Sequence, residues 1–160
     1  MPEAIQDRIP HNHCFGCGPL NAEGLGIKSY PDGDGTVCTF RPSPHHMAGP
    51  THVLNGGIIA TVIDCHCVCT AIADAYRAAG RPIGAEPLLW CVTASLKVDY
   101  LAPTPIAAPV VLRARVREAK GRKRVVECEL SSEGQLRARA EVVAVEVPPA
   151  RPPGTSAPPE

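Results

Sequence analysis

One stretch of the sequence restricts the possible folds more than any other. Residues 56 to 79 contain no proline, show no strand-like alternation and stop at Gly80, a pattern that predicts one long helix. The apolar side chains cover most of its circumference, which indicates a helix surrounded by protein: Ile58, Ile59, Val62, Ile63, Val68 and Ile72. One carboxylate, Asp64, lies deep inside this run. An ionised carboxylate there costs several kcal/mol of folding free energy unless it is paired, so Asp64 points to a chemical role.

Strand patterns flank the predicted helix on both sides. Before it, GIKSYPDGDGTVCTFRP (residues 26 to 42) predicts two short strands joined by an Asp-Gly turn. After it, four segments predict strands: residues 88 to 101, 110 to 118, 122 to 131 and 136 to 147. Apolar and charged residues alternate in them, as in VVLRARVRE, so one sheet face is buried and the other is wet. Short turns join the last three predicted strands, which are therefore expected to form an antiparallel meander. The order predicts an α+β fold, with a single antiparallel sheet wrapped around one central helix.

The length of 160 residues indicates one globular domain. Residues 1 to 21 have no sustained period and are predicted to be an irregular lead-in, followed by the domain proper at residues 22 to 147. Residues 148 to 160 are rich in proline and lack core-forming side chains, so a disordered tail is expected.

Composition excludes several classes of partner. The 16 basic and 16 acidic residues give no net charge, so neither nucleic acid nor an anionic membrane surface is favoured. Asp64 and His66 interrupt the longest apolar run, which argues against a membrane span. The N-terminal MPEAIQDRIP has no apolar core of a signal peptide, so the eight cysteines are expected to be reduced thiols in the cytoplasm.

Three segments together resemble a known family. HCFGCGPLN (residues 13 to 21), LNGGIIATVIDC (54 to 65) and TASLKVDYLAPTP (93 to 105) are similar to the hotdog-fold acyl-CoA thioesterases of the phenylacetate-operon type, and the resemblance spans about residues 11 to 147. It implies a helix wrapped by the sheet, an acyl-CoA substrate and no cofactor. It also implies a homodimer that joins sheets edge to edge, or a homotetramer of two such dimers, with active sites at subunit interfaces.

The resemblance also assigns roles to individual residues. Gly56 matches the glycine whose N–H polarises the thioester carbonyl, and Asp64 matches the acidic nucleophile or general base. Thr93 matches a hydroxyl residue that the neighbouring subunit places near the site. The chain departs from the family at two positions. Asn55 stands where a histidine is usual, and Gly49 stands where some members carry an asparagine that orients water. Asn55 can hold a carbonyl or a water by hydrogen bonds but cannot exchange a proton at neutral pH, so a positioning role in the site is predicted for it.

Physical chemistry supports the first two assignments. A thioester develops negative charge on its carbonyl oxygen, and free N–H groups at a helix start, such as Gly56 and its neighbour Gly57, can stabilise that charge. Burial should raise the pKa of Asp64 and make it a better base. The alternatives are structural. Asn55 would then cap the helix, the glycines would permit close packing, and Asp64 would pair with an arginine or with backbone groups. Thr93 is also an ordinary strand former.

A basic run on one predicted hairpin is a candidate site for the phosphates of CoA. Its candidate binding residues are Arg117, Lys120, Arg122 and Arg124. Surface hairpins are equally often rich in lysine and arginine for solubility, so this hypothesis has a plain alternative.

Four further alternatives remain to be weighed. The HNHCFGC and CHCVC segments hold zinc-type ligands, but a single CxxC is half a site, so no metal is predicted. A cysteine nucleophile with His66 as its base is conceivable. A non-catalytic acyl-CoA or small-ligand binder on the same scaffold is the main alternative to an enzyme, because fold does not fix function. A hydratase is less favoured.

Overall fold

A computed structural model of the protein describes residues 2–148, which contain one α-helix and six β-strands. In chain order the elements are β1 (Ser29–Asp32), β2 (Gly35–Phe40), α1 (Gly56–Ala78), β3 (Trp90–Tyr100), β4 (Val110–Lys120), β5 (Lys123–Ser132) and β6 (Gln135–Val147). Short 3-10 helices at Ile5–Arg8 and Pro44–His46 complete the structure. The predicted helix and the six predicted strands are therefore confirmed, with ends that differ by a few residues.

The six strands form a single antiparallel sheet in the order β1-β2-β4-β5-β6-β3. The strands β4, β5 and β6 follow one another as the predicted meander. Their turns are tight, with positive φ at Gly121 (58°) and at Glu133 and Gly134 (54° and 73°), as two-residue hairpin turns require. The α+β expectation is confirmed.

Helix α1 lies across the sheet and contacts every strand. The alternation in β4 behaves as predicted, because Leu112 is fully buried beneath the helix whereas Arg113 and Arg115 point to solvent. The helix is long and apolar enough to cross a membrane by length and composition, but 56% of its most apolar window is buried inside the protein. Ile63 and Ile72 are among its buried side chains, and each contributes about 1.5 to 3 kcal/mol of burial free energy. It is packed as a core helix.

The N-terminal segment differs from the irregular lead-in that the sequence predicts. Residues 5 to 8 form a 3-10 helix, and Ile5, Ile9 and Cys17 join the same apolar core as α1. The segment is too short to show a period, so its contribution to the core is not visible in the sequence pattern. Residues 149–160 of the predicted tail lie outside the described residues.

Strand β3 is one edge of the sheet. Within residues 2–148 it pairs with β6 alone, so the backbone groups along its other side have no strand partner. Large apolar side chains on and just after it are exposed: Val92, Leu96, Tyr100 and Leu101. A long edge strand with exposed apolar residues is a surface suited to pairing with another strand.

Candidate active site

The start of α1 leaves one backbone donor free. The Asn55 side-chain oxygen accepts hydrogen bonds from the N–H groups of Gly57 (2.8 Å) and Ile58 (3.2 Å), and the Asn55 carbonyl accepts from Ile59 (3.1 Å). Among the described residues the Gly56 N–H has no hydrogen-bond partner. Asn55 is thus the helix cap that its residue type favours, and the cap leaves the Gly56 donor available at the positive end of the helix dipole.

Tyr100, at the end of β3, packs against this helix start. Its hydroxyl donates a 2.6 Å hydrogen bond to the Gly56 carbonyl, and its ring lies 3.6 Å from where a Cβ on Gly56 would be. A side chain at position 57 would have less space, because a Cβ added to Gly57 would lie 3.0 Å from the Asn55 side-chain oxygen of the cap. Tyr100 was not predicted as a site residue from the sequence. Its position at the end of the strand, in the Tyr-Leu-x-Pro segment, is the sequence feature that could have indicated it.

Asp64 is half-buried and has one side-chain partner in the part of the chain that the structure describes. Its carboxylate accepts a 2.5 Å hydrogen bond from the Thr93 hydroxyl. Burial raises the pKa of Asp64, the Thr93 hydrogen bond opposes that shift, and the net direction is upward. The structure pairs Thr93 with Asp64 of its own chain, and the role of Thr93 as the residue that a neighbouring subunit places near the site stays a prediction. The pairing follows from β3 lying beside α1, with a register shift between Thr93 and Ser95.

Gly56 and Asp64 are too far apart to act on one carbonyl group within one chain. Eight residues of α1 separate them, which corresponds to about 12 Å along the axis and to roughly 80° around it. A hydrogen bond to a reacting atom spans about 3 Å. One chain therefore cannot offer both groups to the same carbonyl group.

The basic run does not form one exposed patch. Arg124 is almost wholly buried and pairs with Asp74 of α1 (2.9 Å) and Glu146 of β6 (2.6 Å). Its placement as a CoA contact is corrected here, because β5 alternation points this side chain towards the helix. Arg117 is exposed but paired with Glu127 (3.2 Å) and Glu141 (2.7 Å).

Two of the proposed phosphate contacts are exposed and form no ion pair within residues 2–148. Lys120 ends β4 and Arg122 lies in the following turn, and both side chains face solvent. A depression of about 680 Å³ on the outer sheet face has a mixed lining of basic and acidic residues, including Arg117, but contains neither Asp64 nor Gly56. The charges on this face largely neutralise one another.

His66 is fully buried inside a network of hydroxyl groups. Its Nδ1 lies 2.8 Å from the Ser29 hydroxyl and its Nε2 lies 3.3 Å from the Thr36 hydroxyl. Burial lowers the pKa of His66 to about 4, so the ring is neutral at pH 7. Both ring nitrogens are occupied, so the alternative of His66 as base for a cysteine nucleophile finds no support in the geometry.

Comparison with known proteins defines the family. The model of the thioesterase superfamily matches residues 51–139. A solved thioesterase superfamily protein from Shewanella loihica PV-4 is 39% identical, with 80% of this chain and 96% of that chain covered and a TM-score of 0.64. The PaaI protein of the E. coli phenylacetic acid degradation operon is 17% identical, with 77% and 80% covered and a TM-score of 0.62, and supports the fold alone.

Curated relatives agree with this result. Acyl-coenzyme A thioesterase THEM4 of Xenopus laevis is 31% identical over 109 residues, which are 68% of this chain and 43% of that protein. THEM4 of Rattus norvegicus is 30% identical over 118 residues, which are 72% and 45%. The chain spans less than half the length of these relatives. The predicted resemblance to the hotdog thioesterases is confirmed, and the chain belongs to the thioesterase superfamily.

Proposed function

We propose that the protein hydrolyses an acyl-CoA thioester to a free acid and CoA. The observation that carries the proposal is Asp64, a half-buried carboxylate with a raised pKa on the central helix of a thioesterase fold. His66, on the same helix, has partners on both ring nitrogens, whereas Asp64 has Thr93 as its one side-chain partner. The name of the THEM4 relatives, acyl-coenzyme A thioesterase, supports the substrate class.

In the proposed reaction Asp64 removes a proton from water, and the resulting hydroxide attacks the thioester carbonyl carbon. Direct attack by the Asp64 carboxylate, followed by hydrolysis of the anhydride, gives the same products. The carbonyl oxygen becomes negatively charged in the tetrahedral intermediate, and the free Gly56 N–H is the proposed donor to it. Such a donor is worth roughly 3 to 4 kcal/mol of transition-state stabilisation. The intermediate collapses with loss of the CoA thiolate, which then takes up the proton.

We further propose that two chains complete each site. The separation of about 12 Å along α1 means that Asp64 must work with the Gly56 of another copy. The unpaired edge of β3 and its exposed side chains Val92, Leu96 and Tyr100 support a dimer formed by joining the two sheets. A tetramer would pair two such dimers. Lys120 and Arg122 remain proposed contacts for the CoA phosphates.

A non-catalytic acyl-CoA binder is the second candidate. Asn55 has its side-chain oxygen engaged in the helix cap, and Gly49 is an exposed residue with no side chain to orient water. These two positions favour binding without turnover. A reducing cytoplasm is the proposed setting for either function, and the eight free cysteines support it.

Thiol release from short, medium, long and aromatic acyl-CoA esters tests the first candidate against the second. The wild type is compared with Asp64→Asn and with the matched control Asp99→Asn, which changes an exposed carboxylate of β3. Turnover by the wild type and the control but not by Asp64→Asn is the expected result. Saturable binding of a CoA ester without turnover in the wild type would favour the binder.

A mixing experiment tests whether the site is shared between chains. Gly56→Pro removes the N–H donor while placing proline at the first helical position, where proline fits. Gly56→Pro and Asp64→Asn should each be inactive. After both chains are unfolded and refolded together, half of the dimers are mixed and each has one intact shared site, which restores about a quarter of wild-type turnover. No recovery, despite mixed dimers shown by mass, would place the site within one chain.

A further inference from the structure

Four cysteines from two distant segments meet beside the central helix. Cys14 and Cys17 belong to the N-terminal CFGCG loop, and Cys65 and Cys69 belong to α1. The sulfur atoms are 3.7 Å apart for Cys14 and Cys65, and 4.0 Å apart for Cys17 and Cys69. Those of Cys14, Cys17 and Cys65 all lie within 4.8 Å of one another. We propose that these four thiols bind one zinc ion.

The loop is shaped to present its two sulfurs to the helix. The Gly18 N–H donates a 2.8 Å hydrogen bond to the Cys14 carbonyl, which closes a turn around Cys17. A Cβ on Gly16 would lie 2.2 Å from the Cys65 sulfur, and a Cβ on Gly18 would lie 2.3 Å from the Cys14 nitrogen. Neither position has room for a side chain. The two glycines of CFGCG therefore allow the loop to place its cysteines directly against α1.

The helix supplies the second pair of ligands. Cys65 and Cys69 are four residues apart in α1, and side chains at this spacing share one helix face. The sequence shows the loop CxxC plainly, but Cys65 follows Cys14 by 51 residues and has no zinc-type spacing of its own. The missing half of the site becomes visible only when the loop packs on the helix.

The distances suit a tetrahedral zinc thiolate. Zinc–sulfur bonds of about 2.3 Å at tetrahedral angles separate the sulfurs by about 3.8 Å, and the Cys14–Cys65 and Cys17–Cys69 distances of 3.7 and 4.0 Å are close to this value. Cys69 lies outside the group of three sulfurs that are within 4.8 Å of one another, so its side chain has to move towards Cys14 and Cys65 when zinc binds. Cys17, Cys65 and Cys69 are buried, whereas Cys14 is exposed and offers an entry path. Zinc would displace the thiol protons to solvent. With four sulfur ligands the ion has no open position, so its role is to fasten the N-terminal segment to α1 next to Asp64.

Metal analysis of the full chain, produced without a polyhistidine tag, tests the proposal. After dialysis against a weak chelator, the wild type is expected to keep about one zinc per chain. Stripped and reloaded with Co²⁺, it should show the thiolate charge-transfer and d–d absorption of a tetrahedral site. The Cys65→Ala/Cys69→Ala variant should keep no stoichiometric zinc. The matched Cys38→Ala/Cys128→Ala variant, which removes two buried thiols elsewhere, should keep it.

Several results would overturn the proposal. One is a folded wild type that carries no stoichiometric zinc and takes up no Co²⁺ after reduction. Another is full zinc retention by the Cys65→Ala/Cys69→Ala variant, and a third is a stable disulfide between Cys14 and Cys65. If the double variant does not fold, Cys14→Ala replaces it, because Cys14 is exposed. Its affinity for Co²⁺ should fall by at least about tenfold, while circular dichroism shows the native fold.

Discussion

Asp64 and His66 lie two positions apart on α1, and their burial and hydrogen bonding differ. His66 is fully buried, and the hydroxyls of Ser29 and Thr36 approach its two ring nitrogens. Asp64 is half-buried at the side of the helix that faces β3, and among residues 2–148 its one side-chain hydrogen bond comes from Thr93. Burial disfavours the charged form of both groups, so the pKa of Asp64 is raised and that of His66 is lowered.

The consequences for function differ because the two environments differ. A buried polar group with all its partners inside the protein contributes to stability and specificity of packing. A carboxylate with spare acceptor capacity and a raised pKa near solvent is available for proton transfer. We therefore assign His66 to the fold and Asp64 to the chemistry, and each assignment can be tested by changing one residue and measuring both properties.

The largest expected effect is on turnover in Asp64→Asn. The amide cannot accept a proton from water, so kcat should fall by about 100-fold to 10,000-fold. The free energy of unfolding should stay within about 1 kcal/mol of the wild type, because the variant removes a partly desolvated charge and keeps a group that can contact Thr93. Initial rates and urea unfolding check both statements. A stability loss that accounts for the lost rate would make Asp64 a structural residue instead.

His66→Ala should show the reverse pattern. Removal of the ring leaves a cavity and takes one of two partners from the buried Ser29 hydroxyl, which keeps its hydrogen bond from Gln6, so the free energy of unfolding should fall by about 4 kcal/mol. The kcat of the molecules that remain folded should stay within a few-fold of the wild type. The control is Thr61→Ala, a half-buried residue of the same helix whose hydroxyl donates to the Gly57 carbonyl, which should change stability by less than about 1 kcal/mol. A large kcat loss in fully folded His66→Ala would bring His66 into the chemistry.

The pH dependence of stability provides a second test of His66. Its pKa is about 4 in the folded protein, against about 6.5 in an unfolded chain. Between these values the unfolded chain binds more protons than the folded chain does. The stability that comes from keeping His66 neutral is therefore complete above pH 6.5 and is lost as the pH falls towards 4. The loss should amount to about 3 kcal/mol. The free energy of unfolding is measured across this pH range in the wild type and in His66→Gln, and the difference between the two curves is the contribution of His66. The same pH dependence in both proteins would contradict the prediction.

The sequence predicts those structural features around Asp64 and His66 that depend on the local pattern of apolar and polar residues. The helix around Asp64 and the strand alternation around Leu112 follow from residue periods, and both are confirmed. Contacts between distant segments are not encoded locally. The ion pair of Arg124 joins residues 50 positions apart, and nothing in the basic run distinguishes this inward arginine from its exposed neighbours. The catalytic role of Asp64 stays a prediction. It is supported by the match of Asp64 to the acidic residue of the family and by its burial.

Thr93→Val should have the smallest of the four effects and shows how the protein tunes Asp64. The Thr93 hydroxyl stabilises the charged carboxylate, so its removal should raise the pKa of Asp64 further. A base works only when deprotonated, so the acid limb of the kcat profile should move to higher pH. On the acid limb the rate should fall by up to about tenfold, and it should return to the wild-type rate as the pH rises above the limb. Thr93→Ser keeps the donor and should leave the limb in place. An equal rate loss at every pH, with an unmoved limb, would mean that Thr93 positions substrate or water instead of setting the protonation state of Asp64.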